Sequence, residues 1–166
     1  MERLSMTRFF AVMIMALAGI APAYAQNASE IARAQSGQSC VGCNLFQADL
    51  AYRDLLGINL AGARLRQANL SLATMNGADF NGSNMSVSNL FGARFTGANF
   101  RNTNLQDAVL VGAYLGSADL TGAVLSRANL SGAELDTARG LTQAQLNTAC
   151  GDENTSLPAG LSIAHC

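Results

Sequence analysis

The chain of 166 residues has no lysine and no tryptophan, a single histidine and only two prolines. Its ten basic residues are therefore all arginines. Charged residues make up 13% of the chain, about half the usual share, and aromatics 6%. Each shortage excludes something. A formal net charge of −1 with so few cations does not suit a nucleic-acid binder, which must neutralise a row of phosphates. It is equally far from the strongly anionic surface that imitates a nucleic acid. The lone His165, second from the end, leaves little room for imidazole catalysis. What is abundant is apolar: 49% of residues are hydrophobic, too many for a disordered chain, and the length is that of one domain.

Residues 1–25 read as an export signal. Arg3 and Arg8 make a positive start, Phe9 to Ile20 is an unbroken small-and-apolar stretch, and Pro22 precedes the small-x-small site Ala23-Tyr24-Ala25. The mature chain is expected to begin near Gln26. The apolar run of about a dozen residues is short of the ~18–20 that span a bilayer, and no cysteine follows the site to take a lipid. No membrane insertion is expected after cleavage, and the expected location is periplasmic or secreted. Without Glu2, Arg3 and Arg8, eight arginines face ten acidic residues, a net charge of −2.

From Leu45 to Leu135 a large apolar residue stands at every fifth position, nineteen times without a slip. Two residues before each is a second restricted position, alanine in thirteen cases and Cys43, Ser83, Ser88 or Thr103 in four more. Only Arg53 and Ile58 break this rule. Between the two lies mostly Asn or Asp, and two residues after the large one often lies Gly. A period of five fits neither a helix nor a strand. The chain must turn a corner every five residues, so four sides close a coil of twenty, and coils stack ~4.8 Å apart into a solenoid.

Triplets such as Ala48-Asp49-Leu50, Ala68-Asn69-Leu70, Ala78-Asp79-Phe80, Ala98-Asn99-Phe100, Ala118-Asp119-Leu120 and Ala128-Asn129-Leu130 resemble the A-(D/N)-(L/F)-x-x unit of the pentapeptide-repeat family. The resemblance covers residues 43–137 and implies an all-β fold, a right-handed quadrilateral β-helix of nearly five coils with short helical caps. Each buried Leu or Phe contributes ~1.5–3 kcal/mol before entropy is subtracted. Phe80 and Phe100, one coil apart, are expected to stack. Arg53 and Ile58 are expected to distort the first coil. The Asn and Asp positions have two readings, a row of ligand groups or turn chemistry, and their regular spacing favours the turn.

The open ends of a solenoid need covers. Residues 26–42 form the expected N-terminal cap, with a short helix from Ser29 to Ala34 capped by Ser29 or Asn27. Residues 138–166 form the C-terminal cap: Thr142 to Gln145 has the form of a capping box, predicting a helix over 142–149, and Gly151 to Cys166 reads as an ordered loop. The run from Leu146 to Glu153, followed by Leu157-Pro158, resembles the closing segment of many bacterial members of the family.

Four cysteines in an exported chain imply disulfides. The solenoid places Cys40 and Cys43 ~20 Å or more from Cys150 and Cys166, which argues against cross-pairing and predicts Cys40–Cys43 and Cys150–Cys166. Read as chemistry, Cys40-Val41-Gly42-Cys43 is a redox motif or half a zinc site. A zinc site lacks its other ligands nearby, and Cys43 falls on an inward position where a thiol is inert. No catalytic residue, metal ligand or cofactor is expected.

On the outside, the twenty-residue register stacks Tyr52 with Leu72 and places Phe91 and Val111 beside them, with Val109 nearby. These five residues have two readings: a candidate interaction patch, or isolated β-formers tolerated singly on a sheet surface. The reading is an exported, non-enzymatic scaffold whose partner is an unknown protein or a second copy, with no nucleic acid. The alternative comes from the family resemblance: some members imitate B-form DNA and inhibit or protect DNA gyrase. Such members are cytoplasmic and strongly acidic, whereas here Arg64, Arg66, Arg94, Arg101 and Arg127 project from the expected surface.

Overall fold

One inward Leu, Met or Phe per five residues sets the path of the backbone, and the computed structural model follows that path through residues 26–166, the residues it describes. The export-signal reading of residues 1–25 lies outside the described residues. Parallel bridges join residues twenty apart in four columns, which define four sides. Along the first side run Asn44, Arg64, Asn84, Asn104 and Val124; along the second Asp49, Asn69, Asn89, Val109 and Asn129. The third carries Asp54, Thr74, Arg94, Tyr114 and Glu134; the fourth Asn59, Asp79, Asn99, Asp119 and Arg139. Each side contributes a single-residue rung rather than an extended strand. The N–H of the inward residue donates up to the next coil, as from Leu45 to the Arg64 carbonyl at 2.9 Å, and the N–H of the rung residue donates back, as from Arg64 to Cys43 at 2.8 Å.

Every corner from Gly42 to Gly132 places the second residue after the inward one in the left-handed region, with φ between 54° and 69°. Glycine adopts this freely and other residues do so at a cost. At nine of these corners the residue is not glycine.

The interior is a continuous column of buried Leu, Met and Phe beside a column of buried Ala. Phe80 and Phe100 stack with centroids 5.0 Å apart, as their spacing of one coil predicts, and Phe95 meets both edge-on at 5.7 and 5.2 Å. Three polar residues replace alanine near these rings. Ser88 Oγ donates to the Met85 carbonyl at 2.5 Å, and Thr103 Oγ1 donates to the Phe80 carbonyl at 2.8 Å. Ser83 Oγ is buried with no hydrogen-bond partner.

Helix α1 (Ala28–Gln35) closes one end. Asn27 is its N-cap, accepting from the Glu30 N–H. Ala34 is fully buried and Ile31 packs beside it against the core. Side chains here replace the missing coil: Glu30 accepts from the Asn44 N–H at 2.5 Å, Gln35 donates to the Asp49 carbonyl at 2.8 Å, and Ser39 Oγ accepts from the Asn59 N–H at 3.0 Å. The expected distortion at Arg53 and Ile58 does not occur, since the rungs Asp54 to Thr74 and Asn59 to Asp79 keep the register. Arg53 turns outward and donates to the Gln35 carbonyl at the end of α1, 3.0 Å away. Ile58 stays buried in the coil whose lower neighbour is a helix. An end coil tolerates what an internal coil would not.

At the other end, α2 (Gln143–Leu146) carries the expected capping box between Thr142 and Gln145. The Gln145 amide donates to the Leu120 and Ala123 carbonyls, each at 2.9 Å, closing part of the open edge. Leu146, fully buried, joins the core. The segment read as a loop in fact continues the ladder: Cys150 pairs with Asn129, Ser156 with Glu134, and His165 with Gly151. An unpaired coil edge leaves N–H and C=O groups to satisfy, and the tail satisfies them.

Replacing Ser83 by Ala restores the repeat's own residue and removes an unpaired buried hydroxyl. The expected outcome is a gain of about 1 kcal/mol, measured as a raised urea midpoint at unchanged slope; a loss of stability would show that the hydroxyl has a partner.

Candidate functional site

The Asn and Asp rows are turn chemistry. Their side-chain oxygens accept the backbone N–H two residues on: Asn59 from Ala61 at 3.0 Å, Asp79 from Asn81 at 2.9 Å, Asn104 from Gln106 at 3.0 Å, Asn129 from Ser131 at 2.9 Å. Each such bond opens a corner. Amides also link coil to coil, from Asn69 to Asp49 at 3.2 Å and from Asn99 to Asp79 at 2.9 Å. These groups are therefore engaged by the fold itself.

Electrostatics are local. Arg127 grips Asp107 at 2.6 Å and Arg101 meets Asp119 at 3.2 Å. Arg94 lies 4.9 Å over the ring of Tyr114. Hydrogen bonds from the Thr121 hydroxyl and backbone, helped by Arg101, hold the Asp119 carboxyl down to about 2. The Arg127 hydrogen bonds likewise lower Asp107 and raise the guanidinium. Arg64, Arg94, Arg101 and Arg127 are exposed, and Arg66 is half-buried. Among the described residues no cluster of His, Cys, Asp and Glu has the makings of a metal site.

The cysteines pair as Cys40–Cys43 and Cys150–Cys166. Cys40 and Cys43 are buried inside the first corner. Cys40 takes the place of an inward leucine, its N–H donating to the Asn59 carbonyl at 2.8 Å. His165 and Cys166 are exposed at the far end.

The apolar residues expected outside fall on the second side and the corner that follows it. Tyr52 is 77% exposed, Phe91 48%, Leu72 44% and Val109 40%; Val111 is half-buried. Val87, 43% exposed, sits at the corner before Asn89 and flanks the same side. Sequence reasoning missed it, although its place in the five-residue register marks it as outward. Leu56, Val41 and Val124 are also exposed but lie on other sides or corners. Tyr52, Leu72 and Val87 share one property that exposure alone does not reveal: all three are left-handed, with φ of 60°, 57° and 59°. A β-branched valine there is an outlier. Leu72 lies over Gly92, where an added Cβ would come within 2.7 Å of its Cδ2, so the small residue at 92 makes room for it.

Comparison with known proteins agrees with this geometry. The family model for pentapeptide repeats matches in eight copies, over residues 43–82, 68–107, 88–126 and 103–139. Among curated proteins none matches the chain. A crystal structure of a pentapeptide repeat protein from the Arabidopsis thaliana thylakoid lumen is 27% identical, with a TM-score of 0.59, covering 72% of this chain and 81% of that one. HetL, a pentapeptide repeat protein involved in heterocyst differentiation regulation from the cyanobacterium Nostoc, is 28% identical with a TM-score of 0.49, covering 75% of this chain and 64% of its own. QnrB1, a plasmid-mediated fluoroquinolone resistance protein, is 21% identical with a TM-score of 0.35, covering 77% of this chain and 81% of its own.

Two outcomes follow from these corners. Val87→Gly removes a left-handed β-branched residue and is expected to stabilise by about 1 kcal/mol, read from thermal or urea unfolding. Asp119 titrates lower in the folded chain than in the unfolded one, so its contribution is complete above the ordinary carboxylate range. It is lost as pH falls toward about 2. Asp119→Asn is expected to flatten the fall of stability across that acid window and to leave the slope near neutrality unchanged.

Proposed function

The chain belongs to the pentapeptide-repeat family, and from that premise we propose that it is an exported, non-enzymatic scaffold presenting a fixed apolar surface to a protein partner. In this reading it is wound as the right-handed quadrilateral β-helix of that family. The observation that carries the reading is the double cost at Tyr52, Leu72 and Val87. Each is a large apolar side chain left substantially in water and held in a backbone conformation that glycine adopts more cheaply. Many other corners of the same solenoid use glycine. Strained residues that burial does not repay are a mark of function, and these three lie beside Phe91 and Val109 on or next to one side.

Export is supported by two disulfides, which persist in oxidising compartments, and by the likeness to a lumenal protein. The Arg-led apolar segment at residues 1–25 points the same way. No helix among the described residues is long and apolar enough to cross a membrane. A gyrase-directed imitation of DNA would ask for an unbroken anionic side. Arg64, Arg94 and Arg139 interrupt the first, third and fourth sides, and the second carries mostly neutral amides beside Asp49.

Cross-linking the tagged mature protein in its native envelope, with mass spectrometry, tests the reading. One reproducible protein partner is expected, lost in the Phe91→Ser, Val111→Ser double variant at an unchanged melting temperature. The same partner and oligomeric state in that variant would sink the patch, and recovery of gyrase would restore the alternative.

A further inference from the structure

The two disulfides have opposite surroundings. Cys40 and Cys43, 1% and 8% exposed, are sealed in the first corner. Cys166 is exposed and Cys150 is half-buried. Between them the chain leaves the ladder after Ser156, turns through Gly160 at φ 82°, and returns as a strap over the end of the second side.

The strap is held lightly. Its main-chain bonds to the coil below are Gly151 N–H to the Ala164 carbonyl at 2.8 Å and Cys166 N–H to the Gly151 carbonyl at 2.9 Å. The Gln143 amide adds a reciprocal pair with Ser162, donating to its carbonyl at 2.9 Å and accepting from its N–H at 3.0 Å. Leu161 and Ile163 are only partly buried against the core. A single rung of this size is marginal in water by itself. The covalent bond at its tip therefore supplies what the contacts lack. The coils below do not depend on it: they are joined by their own rungs, and each contacts only its neighbours.

We propose that Cys150–Cys166 is a thiol-operated latch, opened by a small thiol or a thiol–disulfide oxidoreductase, and that its opening lifts the strap of residues 158–166 off an otherwise intact solenoid. The incoming thiolate attacks the Sγ of Cys166, an exposed residue whose sulfur lies 3.3 Å from Asn129 Oδ1 and 3.5 Å from Ser131 Oγ. A new sulfur–sulfur bond forms as the old one breaks, and the electron pair passes to Cys150 Sγ, which takes a proton from water. A second thiolate attacks the sulfur that the first one brought, and Cys166 departs as a thiolate that is protonated in turn. Two thiols become one disulfide, and the protein gains two electrons and two protons. Lifting the strap frees the N–H and carbonyl of Gly151, the neighbour of Cys150, which is the last rung of the apolar side.

The oxidised protein is titrated with dithiothreitol under native conditions, alkylated, and mapped by mass spectrometry. Cys150 and Cys166 are expected to label while Cys40 and Cys43 stay bonded. Hydrogen exchange of the Cys150→Ser, Cys166→Ser variant supplies the second readout. The Gly151 and Cys166 amides are expected to exchange at least about tenfold faster, while the Leu110 amide, in the coils below, keeps its protection. Simultaneous reduction of both disulfides, unchanged exchange at Gly151, or loss of protection at Leu110 would each overturn the latch.

Discussion

The left-handed residue at each corner is the constraint on which the rest of the molecule depends. A chain that turns every five residues reverses its backbone sense once per side, and the Asn or Asp ahead of the corner opens the turn by accepting an N–H beyond it. With the turn set, the inward residue and the alanine before it have nowhere to go but the axis. Coils then fall into register because rung residues twenty apart satisfy each other's main-chain groups. Burial of the Leu and Phe column supplies the driving force, but it is the corner that converts a hydrophobic sequence into a coil instead of a helix or a flat sheet.

The same constraint explains the ends. A coil with no neighbour exposes unpaired main-chain groups, and this chain covers them with side chains borrowed from short helices: Glu30 and Gln35 below, Gln145 above. Arg53, misplaced by the rule of the repeat, is well placed by the rule of the end, since its guanidinium meets the last carbonyl of α1.

Most of the interior was legible in the sequence because its information is local and periodic. The leucine column, the stacking of Phe80 on Phe100 and the turn role of the Asn and Asp positions all follow from counting by five. The pairs at Asn129 with Cys150 and Glu134 with Ser156 are offset by twenty-one and twenty-two residues, so the count loses them and the tail reads as a loop. The accommodation of Arg53 depends on a helix that touches it only in three dimensions. At the candidate surface, the register identified Tyr52, Leu72, Phe91, Val109 and Val111 as outward. That Tyr52, Leu72 and Val87 stand at left-handed corners was hidden, although the frequent glycine at the equivalent position of other repeats was its trace.

The twenty-residue register, unbroken from Asn44 to Arg139, makes the length of this rod a quantity that heredity can edit in whole steps. The contacts that seal each end reach no further than the nearest coils, and no group in the middle measures the distance between them. Duplicating or deleting one full coil would leave both ends facing the same sides as before. Adding a single five-residue unit would instead carry the C-terminal cap round to the next side and place its seals against the wrong columns. Descent with variation in such a molecule is therefore quantised in coils, while its outer side chains remain free to drift one residue at a time.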